Sequence, residues 1–264
     1  MARPFRAAFA GAALVTVAGA ATGRDRWQWV AKPLLMPLLM ADAVHRDRAA
    51  GRDCGAAAGD SGVATADTAA CGRRDGGAAG SEALSGPDRR LLFGALTAAT
   101  VGDVLLIDPD DDRRLVAGAS AFAVMQTGYS VLWWRRGGRP RISVAVPRIL
   151  AWLGAGALLG LRAPRIAVPL TAYGATLATA ATLAADPALA PEAKVVAGTV
   201  VPGRDPRSRL ALGALLFTMS DGLIVLRRLF APTTRSRRAT EAVILATYAG
   251  AQYLLTDPAR FDRP

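Results

Sequence analysis

The sequence predicts an all-α polytopic membrane protein: a single integral domain over residues 1–264, folded as a helical bundle of about eight transmembrane helices. Three observations carry that prediction. Hydrophobic residues make up 52% of the chain and the mean hydropathy is positive, which is more apolar than an ordinary soluble domain of this length. The apolar residues gather in runs close to the roughly 20 residues a helix needs to cross a hydrocarbon core. None of these runs alternates apolar with polar residues over about 10 positions, as a spanning strand would, so a helical bundle is preferred to a barrel.

The eight runs cover approximately residues 5–22, 27–44, 91–108, 115–134, 142–161, 164–184, 209–227 and 239–256. The first, in "MARPFRAAFAGAALVTVAGAATG", has the basic start, apolar middle and small residues of a secretory signal peptide. It counts as a helix of the bundle because an even number of spans, with both termini on one side, suits the remaining connections. The second, "AKPLLMPLLMAD", sets Lys32, Pro33 and Pro37 in a greasy run. Pro33 lies about a turn into the helix, where a missing donor matters little. Pro37 is expected to bend the helix or to leave the carbonyl near Pro33 unpaired. The third and seventh runs each carry one acid, Asp103 in "TAATVGDVLLID" and Asp221 in "LLFTMSDGLIVL".

The connections hold most of the net charge of +11. The basic residues do not line a helical face with interleaved aromatics, so no nucleic-acid partner is expected. They serve topology instead: their excess on one set of connections places both termini in the cytoplasm of a bacterial-type cell membrane. The basic stretch "RLFAPTTRSRR" (228–238) falls on the opposite side and runs against that tendency. Residues 45–88 are a Gly, Ala, Asp and Arg tract with almost no large apolar side chain, and are predicted to be a disordered insertion between helices two and three. That tract contains His45, Cys54 and Cys71 at a spacing that matches no compact ligand pair. No metal and no cofactor are expected. With the single histidine in that tract, neither a Ser-His-Asp triad nor a multi-histidine zinc centre can be assembled within the bundle, and no glycine-rich phosphate loop follows a strand.

Ionisable residues inside the apolar runs remain. Lys32, Asp103 and Asp221 lie five or six residues from the ends of helices two, three and seven, while Asp42, Arg148 and Glu241 sit nearer helix ends. Successive helices run in opposite directions, so the first three fall roughly 7–9 Å below the same membrane face, with Tyr173 of helix six slightly deeper. A charge at that depth is costly and must face the bundle interior and find a partner. A structural ion pair between Lys32 and one aspartate would satisfy it; so would a reaction centre. "FGALTAATVGDVLL" and "LGALLFTMSDGLIV" also share a small-residue lead into their aspartates, and "AKPLL" is echoed by "AVPLT", which suggests a four-plus-four internal repeat.

The ordered motifs "KPLLMPLL", "LLFGALTAATVGDVLL", "AGASAFAVMQTGYSVLWW", "ALGALLFTMSDGLIV" and "TYAGAQYLL" resemble the YhhN family of multi-pass membrane proteins, which includes the animal transmembrane lysoplasmalogenases. The resemblance spans nearly the whole chain outside 45–88. It implies hydrolysis of the vinyl-ether bond of a lysoplasmalogen, giving a fatty aldehyde and a glycerophospho-base. The family's Lys-Pro, Gly-Asp and Ser-Asp motifs fall on Lys32 with Pro33, Gly102 with Asp103, and Ser220 with Asp221; its Ala-Gln motif falls on Ala251 with Gln252. Helix four departs from the pattern, with Gln126 where members often have a His three residues before Tyr129.

Vinyl-ether hydrolysis needs a proton delivered to carbon and a stabilised oxocarbenium-like cation for water to capture, work that paired carboxylates perform around a glycosidic bond. Asp103 and Asp221 are therefore the expected catalytic pair. Lys32, Tyr173, Gln126, Tyr129 and Gln252 are the expected substrate-binding set. The partners implied are a lysophospholipid substrate and membrane lipids; the sequence sets no oligomeric state. Two readings of other classes stay open, a proton-coupled small-molecule or lipid transporter and a non-catalytic lipid-binding protein.

Overall fold

A computed structural model describes residues 4–59, 86–108, 110–196 and 199–257, and within them eight helical rods follow the eight apolar runs. The first rod is α1 (Pro4–Thr22). The second comprises α2 (Asp25–Ala31) and α3 (Leu35–Gly59), joined by a 3-10 turn at Lys32–Leu34. The others are α4 (Gly86–Leu105), α5 (Asp112–Arg135), α6 (Ile142–Arg162), α7 (Pro164–Ala184), α8 (Arg209–Phe230) and α9 (Thr234–Leu255).

Five rods, α1, α5, α6, α7 and α8, are long and apolar enough on their own to cross a membrane. The other three mix charge into their length: Asp88, Arg89 and Arg90 open α4, three arginines and Glu241 occupy the first half of α9, and α3 turns polar after Asp42. Their apolar stretches are shorter and pack largely against protein. The outward surface is apolar, with Leu14, Ile142, Leu150, Leu161 and Val168 all exposed. Such a surface would drive association in water; in a bilayer it is solvated by lipid tails.

Two features differ from the sequence reading. The expected disordered insertion, 45–88, is helical at both ends, since α3 continues to Gly59 and α4 starts at Gly86; residues 60–85 lie outside the described residues. Alanine-rich "AAGRDCGAAAG" can extend a helix already nucleated by the apolar run before it, because alanine loses no side-chain entropy there. The connection from α7 to α8 is also built rather than merely polar. It contains the antiparallel hairpin of β1 (Lys194–Val196) and β2 (Thr199–Val201), with Val195 opposite Val200. Asp186 fastens its start by accepting from the Arg139 amide at 2.6 Å and the Arg141 guanidinium at 3.3 Å.

The pairs α4/α5 and α8/α9 make the most extensive helix contacts, as helices three and four of two equivalent halves would. Missing side chains let the first pair approach closely. A Cβ on Gly102 would meet the Phe122 ring at 2.7 Å, and one on Gly118 would meet Leu106 at 2.6 Å. The repeat is incomplete: α5 packs on α7, whereas α9 packs on α1. α1 is held there by buried Arg6, which donates to Asp42 at 3.0 Å and to the carbonyls of Tyr253 and Thr256 at 3.2 and 3.0 Å.

Ion pairs tie the α4–α5 turn to the α8–α9 turn at one face of the bundle. Asp110 accepts from Arg227 at 3.1 Å and from Arg237 at 2.8 Å, and Asp112 pairs with Arg228. The basic stretch 228–238, anomalous as a topology signal, is thus opposed in part by acids about 120 residues away.

Candidate active site near one membrane face

Lys32 reaches the site because the helix changes pitch there. Pro33 has no N–H to continue the ladder of α2, and Pro37 has none to meet the Pro33 carbonyl, so the chain passes through one 3-10 turn between two α-helices. The 5%-exposed Lys32 points inward and donates from Nζ to the Leu106 carbonyl at 3.1 Å, just past the end of α4. An ammonium is favoured there by the unpaired carbonyls and the dipole of the helix.

Lys32, Asp103 and Asp221 line one open pocket, walled by Leu106, Phe122, Phe217, Ile224 and Tyr248 and edged by Arg227 and Glu241. Their common depth, read from helix spacing, corresponds to a common cavity. It lies toward the face that carries the α4–α5 and α8–α9 turns.

The two acids are held differently. Asp103 is 1% exposed; its Oδ2 accepts from the Tyr248 hydroxyl at 2.9 Å, while Oδ1 has no hydrogen-bond partner among the described residues. Lys32 is its nearest charge influence, without a direct salt bridge to it. Asp221 is half-buried and accepts from the Tyr173 hydroxyl. Gly102 admits the Phe122 ring beside Asp103, where Phe122, Phe217 and Tyr248 meet edge to face with centroids 5.7–6.0 Å apart. Ser220, next to Asp221, is fully enclosed and donates to the Ile244 carbonyl at 3.0 Å, pinning α8 to α9.

A model of the YhhN family matches residues 27–259, nearly the whole chain. The chain belongs to the YhhN family. No curated protein and no solved structure matches it. The Lys-Pro, Gly-Asp and Ser-Asp motifs identified in the sequence supply Lys32, Asp103 and Asp221 to the pocket, together with the glycine that lets Phe122 close on it and the serine that pins α8 to α9.

The remaining expected residues stand behind the pocket rather than on its wall. Tyr129 donates to Gln252 Oε1 at 3.0 Å, and Gln252 Nε2 lies 3.5 Å from the Tyr248 hydroxyl and 3.2 Å from the Met125 sulfur. Tyr173 stands between Asp221, to which it donates, and Gln126, whose side chain lies beside its hydroxyl with Nε2 making no hydrogen bond among the described residues. Two polar arms result: Asp103–Tyr248–Gln252–Tyr129 and Asp221–Tyr173–Gln126. They converge on α5, where Gln126 and Tyr129 are one turn apart. Tyr248, Arg227 and Glu241 were not among the expected site residues. Tyr248 was within reach of sequence reasoning, because it precedes Gln252 by four and must share its helical face.

Proposed function

We propose that this YhhN-family protein is a membrane-embedded ether hydrolase of the lysoplasmalogenase type, with Asp103 and Asp221 as the catalytic pair. The observation that carries the reading is the meeting of both intramembrane carboxylates with Lys32 in one apolar-walled pocket near a membrane face. A lysolipid lying in the leaflet presents the bond between its chain and its glycerol just below its headgroup, at that depth. An open pocket that is mostly apolar with a few convergent polar groups suits a ligand of that kind.

Both acids accept from a tyrosine, but Asp221 has no counterpart of the Lys32 charge that acts on Asp103, and it is assigned the acid. It delivers a proton to the outer carbon of the vinyl ether, and the electron pair of the C=C bond becomes the new C–H bond, leaving an oxocarbenium ion. Asp103, with Lys32 as its counter-charge, steadies that cation through the unpaired Oδ1 and takes a proton from the water that adds to it. The hemiacetal then collapses to fatty aldehyde and glycerophospho-base, consuming one water in all. Tyr248 and Tyr173 fix the rotamers of the two carboxylates.

The test is aldehyde release by purified protein in detergent from vinyl-ether, saturated-ether and ester lysolipids of the same chain length. The expected result is aldehyde from the vinyl ether alone. Uptake of intact lysolipid into sealed vesicles without any aldehyde would replace this reading with transport.

A further inference from the structure

The pocket mouth contains a pair of opposite charges that the acid–base chemistry does not use. Arg227 and Glu241 face each other there, 10% and 16% exposed at their side chains. Arg227 Nε lies 3.2 Å from Glu241 Oε2, yet that buried N–H makes no hydrogen bond of acceptable geometry among the described residues. Arg227 is held from the solvent side by Asp110 at 3.1 Å. The mouth therefore holds a nearly buried guanidinium with a donor to spare and a carboxylate in loose contact with it.

We propose that Arg227 and Glu241 form a headgroup subsite for a zwitterionic phosphodiester that bears an amine, a specificity that rests on the lysolipid reading above. A phosphodiester oxygen takes the Arg227 Nε donor, with Lys32 as the second cation below it, and the ammonium takes Glu241. Guanidinium and phosphodiester match in geometry as well as charge. The zwitterion substitutes one pair of opposite charges for another and leaves the charge balance of the mouth unchanged. A phosphate monoester without the amine would bring extra negative charge against Glu241 and Asp110 and is selected against.

The test is direct binding, with no scissile bond involved. The probes are a saturated 1-O-alkyl lysophosphocholine, the corresponding 1-O-alkyl-glycerol 3-phosphate and the 1-O-alkylglycerol, titrated into full-length protein in nanodiscs. The native protein is expected to prefer phosphocholine over phosphate monoester by roughly tenfold. Glu241→Gln should erase that preference without weakening the monoester, and Arg227→Gln should weaken both phosphate probes while leaving the alkylglycerol unchanged. Asp110→Asn removes the more distant of the two negative charges and should reduce the preference only in part, by strengthening the monoester and not by weakening phosphocholine. Alkylglycerol binding as tight as phosphocholine, or a preference that survives Glu241→Gln, overturns the proposal. Because the probes cannot be hydrolysed, a preserved preference with no aldehyde release from vinyl ethers would defeat the hydrolase reading and leave the subsite standing.

Discussion

Asp103 and Asp221 occupy corresponding points of two similar helices, yet their surroundings differ. Asp103 is enclosed, has a lysine from the preceding rod as its charge partner and is tied to a four-residue polar arm. Asp221 is half-buried and has a tyrosine from its own preceding rod, Tyr173, where the first half supplies Lys32. A near-repeat of sequence has thus been divided into one carboxylate with a cation as well as a tyrosine beside it and one with a tyrosine alone. Two carboxyl groups can perform opposite proton transfers only if their environments set them apart. Around the two acids, the physical difference between the halves is the lysine that the second rod supplies and the sixth does not.

The largest effect belongs to the acids themselves. Asp103→Asn and Asp221→Asn should each lower kcat by about 10²–10⁴-fold, and the double variant should fall little further, because groups that act as a unit are not additive. Additive losses in single-turnover kinetics would show that the two act in separate steps on separate bonds.

Of the two acids, Lys32→Met should affect Asp103 alone. It removes the hydrogen bond to the Leu106 carbonyl and the charge beside an enclosed carboxylate, at a cost of about 1.5–3 kcal/mol of stability. Asp103→Asn in the same chain should recover much of that loss, since the uncompensated charge is then gone; Asp221→Asn should recover none. Thermal unfolding of the four proteins in one detergent measures this, and equal recovery by both Asn variants would erase the distinction between the arms.

Removing single hydroxyls gives a smaller effect. Tyr248→Phe and Tyr173→Phe each delete one hydrogen bond to a carboxylate of the proposed pair, with an expected loss of about tenfold in kcat. Tyr248→Phe should cost more, because it also detaches Gln252 and Tyr129 from Asp103. Gln126→His should alter the pH profile of the Asp221 arm and leave the thermal stability of the Tyr248→Phe background unchanged.

Much of this was legible in the sequence because membrane helices are written as apolar runs with clear punctuation. The eight rods follow those runs, and a depth count from helix ends was enough to place Lys32, Asp103 and Asp221 together. The rest depended on partners far apart in the chain. The acids of "IDPDDD" meet the arginines of 227–237 across the pocket mouth, so a stretch that looked misplaced as a topology signal is partly balanced by charge. Gln126, Tyr129 and Gln252 look like lining residues by type but stand one layer back, because Tyr248 and Tyr173 intervene. The β1/β2 hairpin was hidden in a short valine-rich segment with no helix-length pattern, and the continuation of α3 past residue 45 rests on alanine content rather than on an apolar face.

The smallest effect concerns the caps outside the membrane. Asp111 accepts from the amides of Arg114 and Arg113 at the start of α5, and the Arg114 amide above all holds its carboxyl below the ordinary range; Arg207 does the same for Asp205 before α8. A depressed folded-state pKa contributes stability above the unfolded value of about 3.9 and loses it as pH falls through the folded value. A modest acid-linked loss of stability is therefore expected below about pH 4, and Asp111→Ala should flatten it. An unchanged acid limb in that variant would place the loss elsewhere.

The central claim is that Asp103 and Asp221 deliver and receive protons at the vinyl ether. Aldehyde release in D₂O, from a vinyl-ether lysolipid and purified protein, tests it most directly. The native protein is expected to release aldehyde carrying one deuterium on the carbon next to the carbonyl, while Asp103→Asn and Asp221→Asn, folded as judged by thermal unfolding, release almost none. Aldehyde at the native rate from either variant would contradict it.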